Sequence, residues 1–261
     1  MAVLPAALPG AASTAVRDLL AGPARRGRVL GVHPACVYVR VDDEVVAVET
    51  ADGLGLPCAV RLGVDRSLGC FRHVRHDDDA VVGDGLLRAG PVAVRVARWW
   101  APRPPRPPAT GPPPAGRLAA VADLLAAHPV PVPVEAPFGE LLGLGPGLTP
   151  AGDDVLAGLL VALHHHPRRR DPLAAAVTRL APRRTTALSA ALLRHAAAGR
   201  ALPAVVDVTD HLAGHGPSGD AERVVGRLLA VGSSSGAALA HGLLRGARTV
   251  TGGARPKEAV A

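Results

Sequence analysis

The stretch Ala101-Pro-Arg-Pro-Pro-Arg-Pro-Pro-Ala-Thr-Gly-Pro-Pro-Pro-Ala-Gly116 divides the chain into two halves with different apolar periods. Proline at this density fixes φ, removes backbone donors and favours extended polyproline conformation. The segment is therefore read as a linker over 101–116, with recognition by a partner as the other use of such a sequence. Upstream, after a short helix expected over Thr14 to Ala21, β-branched runs recur at Arg28 to Val32, Cys36 to Val41, Val45 to Glu49, Ala59 to Leu62, Ala80 to Val82 and Val92 to Ala97. Gly, Pro and Asp turns separate them, which predicts a small β-sandwich or barrel over 1–100. Downstream, Leu118, Val121, Ala122 and Leu125 fall at helical spacing, and Val224, Val225, Leu228 and Val231 line another helix face. The fold class is accordingly α+β: a β-rich N-terminal domain, then a mainly helical ligand-binding domain over 117–255 and a tail over 256–261.

Composition narrows the functions. With 261 residues, 48% of them hydrophobic, the chain can fill one large core or two small ones. No apolar run approaches the roughly 20 residues of a membrane span. The start, Met1 to Gly10, lacks the charge and the unbroken apolar core of a signal peptide, so a cytoplasmic location without membrane contact is expected. Cys36, Cys58 and Cys70 form no close pair, which suggests buried small hydrophobes rather than a disulfide framework or zinc knuckle. The formal charge of +7 invites a nucleic-acid reading. Lys257 is the only lysine among 29 basic residues, and two Trp, two Phe and one Tyr supply few stacking platforms. No nucleic-acid partner is expected. The acidic run Asp77 to Asp79 reads as a solvated turn.

The chemistry-bearing stretch is Gly143-Leu-Gly-Pro-Gly-Leu-Thr-Pro-Ala-Gly-Asp-Asp-Val-Leu-Ala-Gly158. Five glycines weaken a helix, so their concentration directly before an apolar one calls for a reason other than helix stability. Thr149 is expected to cap that helix with Pro150 at its first position. The loop residues Gly145, Gly147, Thr149 and Gly152 are candidate substrate contacts. Asp153 and Asp154 would neutralise a helix end that otherwise binds anions, so a ligand there should bring amide hydrogens or a cation such as Mg²⁺. Successive helical residues diverge by about 100°. One aspartate should therefore face the ligand while the other supports the loop.

Two further helix starts carry suitable groups. Gly232-Ser-Ser-Ser-Gly236 offers Ser233, Ser234, Ser235 and Gly236 to an anion. Arg183-Arg-Thr-Thr-Ala-Leu-Ser189 offers Arg184, Thr185 and Thr186. Asp171 before Pro172 reads as another N-cap. The run His164 to His166 is expected to close a helix at Pro167 rather than bind metal, and His241 is a candidate for proton transfer.

Gly145-Pro-Gly-Leu-Thr-Pro-Ala-Gly-Asp-Asp154 resembles the signature of the AllH family, once a domain of unknown function and now named after a subunit of oxamate carbamoyltransferase. Thr185, Thr186 and Ser189 through Gly199, the turn Gly232 to Gly236 and, loosely, the strands from Gly27 also fit. The family's late turn usually carries histidine where this sequence has Ser233. The resemblance implies a carbamoyltransferase subunit that uses carbamoyl phosphate with oxamate, oxalurate or a related amide, acts with other protein subunits and needs no cofactor. Asp153, Asp154 and Arg184 would then be catalytic, Asp153 or Asp154 taking amide hydrogens and Arg184 with Thr185 balancing charge. Two alternatives stay open: a non-catalytic partner subunit, and a nucleotide-dependent phosphotransferase whose aspartates hold Mg²⁺.

Overall fold

The computed structural model describes residues 7–110 and 115–251; the expected tail over 256–261 and the middle of the proline segment lie outside them. The chain divides into two compact units, Met1–Pro102 and Arg103–Ala261. Among the described residues, no helix is long and apolar enough to cross a membrane.

The first unit is a closed barrel of eight strands: β1 (Leu8–Ser13), β2 (Arg25–His33), β3 (Cys36–Val41), β4 (Glu44–Glu49), β5 (Ala59–Leu62), β6 (Asp79–Gly83), β7 (Leu86–Ala89) and β8 (Val92–Trp100). They follow one another around the barrel as β1-β5-β4-β3-β2-β6-β7-β8. The β1–β8 and β4–β5 pairs are parallel and the rest antiparallel. Val37, Val39 and Val41 alternate inward along β3 against Val46 and Val48 of β4, filling the interior as the period-2 pattern requires. The N-terminal helix is shorter than the sequence suggests, a 3₁₀ turn over Thr14–Val16 followed by α1 (Arg17–Ala21). It is preceded by β1, which closes the barrel and leaves no edge strand open. Asp77, at φ 65°, and Asp78, which accepts from Arg75 N at 2.8 Å, make the turn before β6. Cys36 and Cys58 are buried in this unit.

Among the described residues, one charged group lies inside the barrel unit. Glu49 is buried and accepts Gly55 N at 2.9 Å and Leu56 N at 3.3 Å, tying the loop after β4 to its own strand. Burial pushes its carboxyl up to about 7, against the pull of those two amides and of Arg61.

The second unit comprises α2 (Ala115–Ala126), α3 (Phe138–Leu141), α4 (Ala151–Ala162), α5 (Pro167–Arg184), α6 (Ala187–Ala197), α7 (Pro203–Leu212), α8 (Ala221–Leu229) and α9 (Ser235–Thr251). Every residue of α4 from Ala151 to Val161 is buried, so this helix is the core around which the others pack. Its closest neighbour is α9. A Cβ on Gly158 would sit 2.2 Å from the Leu239 carbonyl oxygen, and one on Gly242 would sit 2.0 Å from that of Val155. Each helix thus presents a glycine to the other's backbone, the approach that only hydrogen side chains permit.

The proline segment is held along this unit. Arg103 pairs with Asp207 at 2.8 Å and Asp210 at 2.5 Å, and Arg106 N donates to Asp210 at 2.8 Å. His165 and His215 donate to the Pro105 and Pro107 carbonyls at 2.9 and 2.8 Å, and Ala109 N donates to Ala213 O at 3.0 Å. An extended proline chain has no internal hydrogen bonds, so its carbonyls are free for such partners. Three local expectations change. Pro150, not Thr149, is the N-cap of α4, because the Thr149 hydroxyl is used elsewhere. α5 begins at Pro167, so Asp171 is not its cap and Pro172 lies inside it. Pro167 starts a helix rather than ending one, and α4 has already stopped at Ala162.

Candidate functional site

The loop over residues 142–150 leaves α3, turns through three glycines at positive φ (Gly143 79°, Gly145 118° and Gly147 90°) and enters α4. Two of the glycines in this stretch are required by close approach rather than by a ligand. A Cβ on Gly143 would lie 2.0 Å from the Arg184 carbonyl oxygen, and one on Gly152 2.0 Å from that of Leu141. Gly147 faces open space, and Gly145 comes near only the start of α4.

The two aspartates divide their work. Asp153, 1% exposed, accepts Gly143 N at 2.7 Å on one oxygen and the Thr185 and Ser189 hydroxyls on the other, the latter at 2.7 Å. It ties the glycine loop to the start of α6. A carboxylate with three donors in a buried setting is fully used by its own protein. Asp154, 6% exposed, has a hydrogen bond from Ser235 at the start of α9, and its Oδ2 is buried with no partner. Burial, then the charge of Asp153, push its carboxyl up to about 7, and the Ser235 bond draws it down. Thr149 and Ser235 meet hydroxyl to hydroxyl at 3.2 Å. Thr149, Ser235 and Asp154 therefore form one polar thread joining the glycine loop, α9 and α4.

The remaining candidates fall outside that thread. Arg184 is exposed and its guanidinium donates to Gly139 O at 3.0 Å. Thr186 caps α6, accepting Ser189 N at 3.0 Å and donating to Leu148 O at 2.5 Å, and the Thr185 hydroxyl is spent on Asp153. Gly236 is a packing residue, since a Cβ there would lie 2.0 Å from the Leu228 carbonyl oxygen. Ser233 is exposed, and the Ser234 carbonyl accepts Ala238 N at 2.9 Å within the first turn of α9. His241 donates to His128 O at 3.1 Å, away from the thread. Ser189, which sequence reasoning placed only within a matching segment, closes the Asp153 cluster. Its position three residues after the Thr186 cap was the available signal.

Residues 141–247 match the family model described as oxamate carbamoyltransferase subunit AllH. The matched stretch lies wholly within the second unit. The matched stretch begins at the last residue of α3 and ends within α9, so it takes in both helix starts and both aspartates while the barrel lies outside it. No curated protein and no solved structure matches the chain. Within the matched stretch, Asp154 at the meeting of α4 and α9 keeps a buried oxygen without a partner.

Proposed function

We propose that this chain is a subunit of an oxamate carbamoyltransferase, and that its AllH domain holds an amide-bearing substrate at the meeting of the α4 and α9 helix starts. The observation that carries the reading is the orphan Oδ2 of Asp154, an enclosed acceptor that the N–H of a carbamoyl or oxamate amide would satisfy. The start of α9, with the Ser234 hydroxyl, suits the anionic end of the same ligand, either the phosphate of carbamoyl phosphate or the carboxylate of oxamate. Carbamoyl transfer needs no covalent nucleophile; it needs two substrates aligned and a developing oxyanion met by fixed donors.

Asp153 weighs against a paired-aspartate Mg²⁺ site and hence against the phosphotransferase reading, because hydrogen donors take both its oxygens. A partner chain is supported by the exposed bulky apolar side chains. Among the described residues of the second unit these are Leu144 and Leu148, 38% and 42% exposed, both on the glycine loop. The test is a thermal-shift titration with oxamate, oxalurate and carbamoyl phosphate. A ligand at a hundredfold its Kd adds about 2.7 kcal/mol to the wild type, and the Asp154→Ala variant should lose that gain. Absence of any shift would replace this reading with that of a non-catalytic subunit completing a site elsewhere.

A further inference from the structure

We propose that Asp154 takes the proton of the substrate's amide nitrogen during carbamoyl transfer and returns it in the reverse direction, with Ser235 and Thr149 as positioning residues that orient its carboxyl. The inference rests on the carbamoyltransferase reading and adds to recognition a step of chemistry.

The geometry supplies the parts. Asp154 is more than nine-tenths buried, one side of its carboxyl is engaged by Ser235, and Oδ2 faces no donor. A serine hydroxyl that donates to the carboxyl uses its only hydrogen there, so in the 3.2 Å contact Thr149 is the donor to Ser235. The hydroxyls thus point in sequence from the half-buried glycine loop toward the carboxyl, whose Oδ2 is left without a donor. Several charged groups on the helices around this end are committed elsewhere. Arg184 bonds Gly139 O, His241 bonds His128 O, and Arg245 bonds the Val134 and Ala136 carbonyls at 2.7 and 2.9 Å. On α7, Asp207 and Asp210 are paired with Arg103. Asp153 is the charged neighbour that acts on Asp154, and it raises the proton affinity of the carboxyl in the same direction as burial. A carboxyl so placed is balanced between its two protonation states near neutrality, where an acid–base group works in both directions.

In the synthetic direction the acceptor nitrogen bonds to the carbamoyl carbon while the bond from that carbon to the phosphate oxygen breaks. The phosphate leaves with the electron pair. The nitrogen becomes acidic as its lone pair is committed, its proton passes to Asp154 Oδ2, and the carboxyl then delivers it to the departing phosphate. In the reverse direction the Asp154 carboxylate takes the proton of the attacking phosphate and passes it to the leaving amide nitrogen.

The test uses the whole chain. Carboxyl-labelled aspartate followed by NMR should show one group titrating near neutral pH that is missing from Asp154→Asn. Ser235→Ala should move that midpoint upward and Thr149→Val should move it less, in the same direction. Oxamate affinity of the wild type should fall about tenfold for each pH unit below the midpoint, as the accepting carboxylate is protonated, and be flat in Asp154→Asn. In the assembled transferase, Asp154→Asn should lower kcat a hundredfold or more with KM for oxamate changed less than tenfold. A midpoint in the ordinary carboxylate range, or one that Ser235→Ala leaves unmoved, overturns the proposal. Oxamate binding without pH dependence overturns the proton role while the carbamoyltransferase reading stands; no oxamate binding at any pH overturns both.

Discussion

The barrel unit and the helical unit each bury one carboxyl whose proton affinity is raised to about the same level, Glu49 in the first and Asp154 in the second. Burial is the leading cause in both. The difference lies in the partners. Glu49 receives two backbone amides from the loop it closes, so its acceptors serve the fold. Asp154 keeps an oxygen without a donor. A raised pKa alone would rank the two equally as functional groups; counting donors separates the brace from the site. The same count separates Asp153 from Asp154 within one helix turn.

The largest effect that would break this comparison is expected at Asp153. Asp153→Ala removes the acceptor of one amide and two hydroxyls and should lower stability of the helical unit by about 3 kcal/mol or more, read by denaturant unfolding. A loss below about 1 kcal/mol would remove its role as brace.

The pH dependence comes next. Glu49 and Asp154 bind a proton more tightly in the folded chain, so the stabilisation they give is complete below their ordinary values of 4.5 and 3.8 and is lost as pH rises to about 7. For Glu49 that loss is on the order of 3 kcal/mol. Relative to wild type, Glu49→Gln should flatten the stability of the barrel between pH 4.5 and 7, and Asp154→Asn should do so for the helical unit from pH 3.8 upward. Native-state hydrogen exchange, which reports the two units separately, measures both.

A smaller effect sharpens what holds the site together. Gly242→Ala places a methyl against the α4 backbone and should cost about 1–3 kcal/mol. It should also weaken ligand stabilisation, because the Ser235 bond to Asp154 depends on the same contact. Gly147→Ala meets no neighbour and strains only its positive φ; it should cost no more than about 1 kcal/mol in a melting experiment.

Much of this was legible in sequence. The abrupt proline segment, the period-2 runs before it and the helical periods after it were enough for an α+β chain with an N-terminal barrel or sandwich. β1 and β7 were not, because Leu-Pro-Gly-Ala-Ala-Ser and Leu-Leu-Arg-Ala carry almost no β-branched residues and become strands only through the neighbours that flank them. At the site, the glycine loop and both aspartates stand out locally. Which residues answer them does not, since Ser235 lies far along the chain from Thr149 and Ser189 from Asp153. Thr149 and Thr186 both have the chemistry of a helix cap; Thr186 serves as one, and the Thr149 hydroxyl meets that of Ser235. Spacing alone could not distinguish them.

The paired glycines of α4 and α9 also set a rule for length. Asp154 stands four residues before Gly158 and Ser235 seven before Gly242, so each working side chain lies on the same helix face as the glycine that seats its helix. One residue inserted or deleted inside either interval would turn its side chain by about 100° while leaving the seat in place. Loops ahead of these helices can vary in length at little cost; the intervals Asp154 to Gly158 and Ser235 to Gly242 act as two fixed rulers, and reading them together is a way to recognise the same arrangement in chains that share little else.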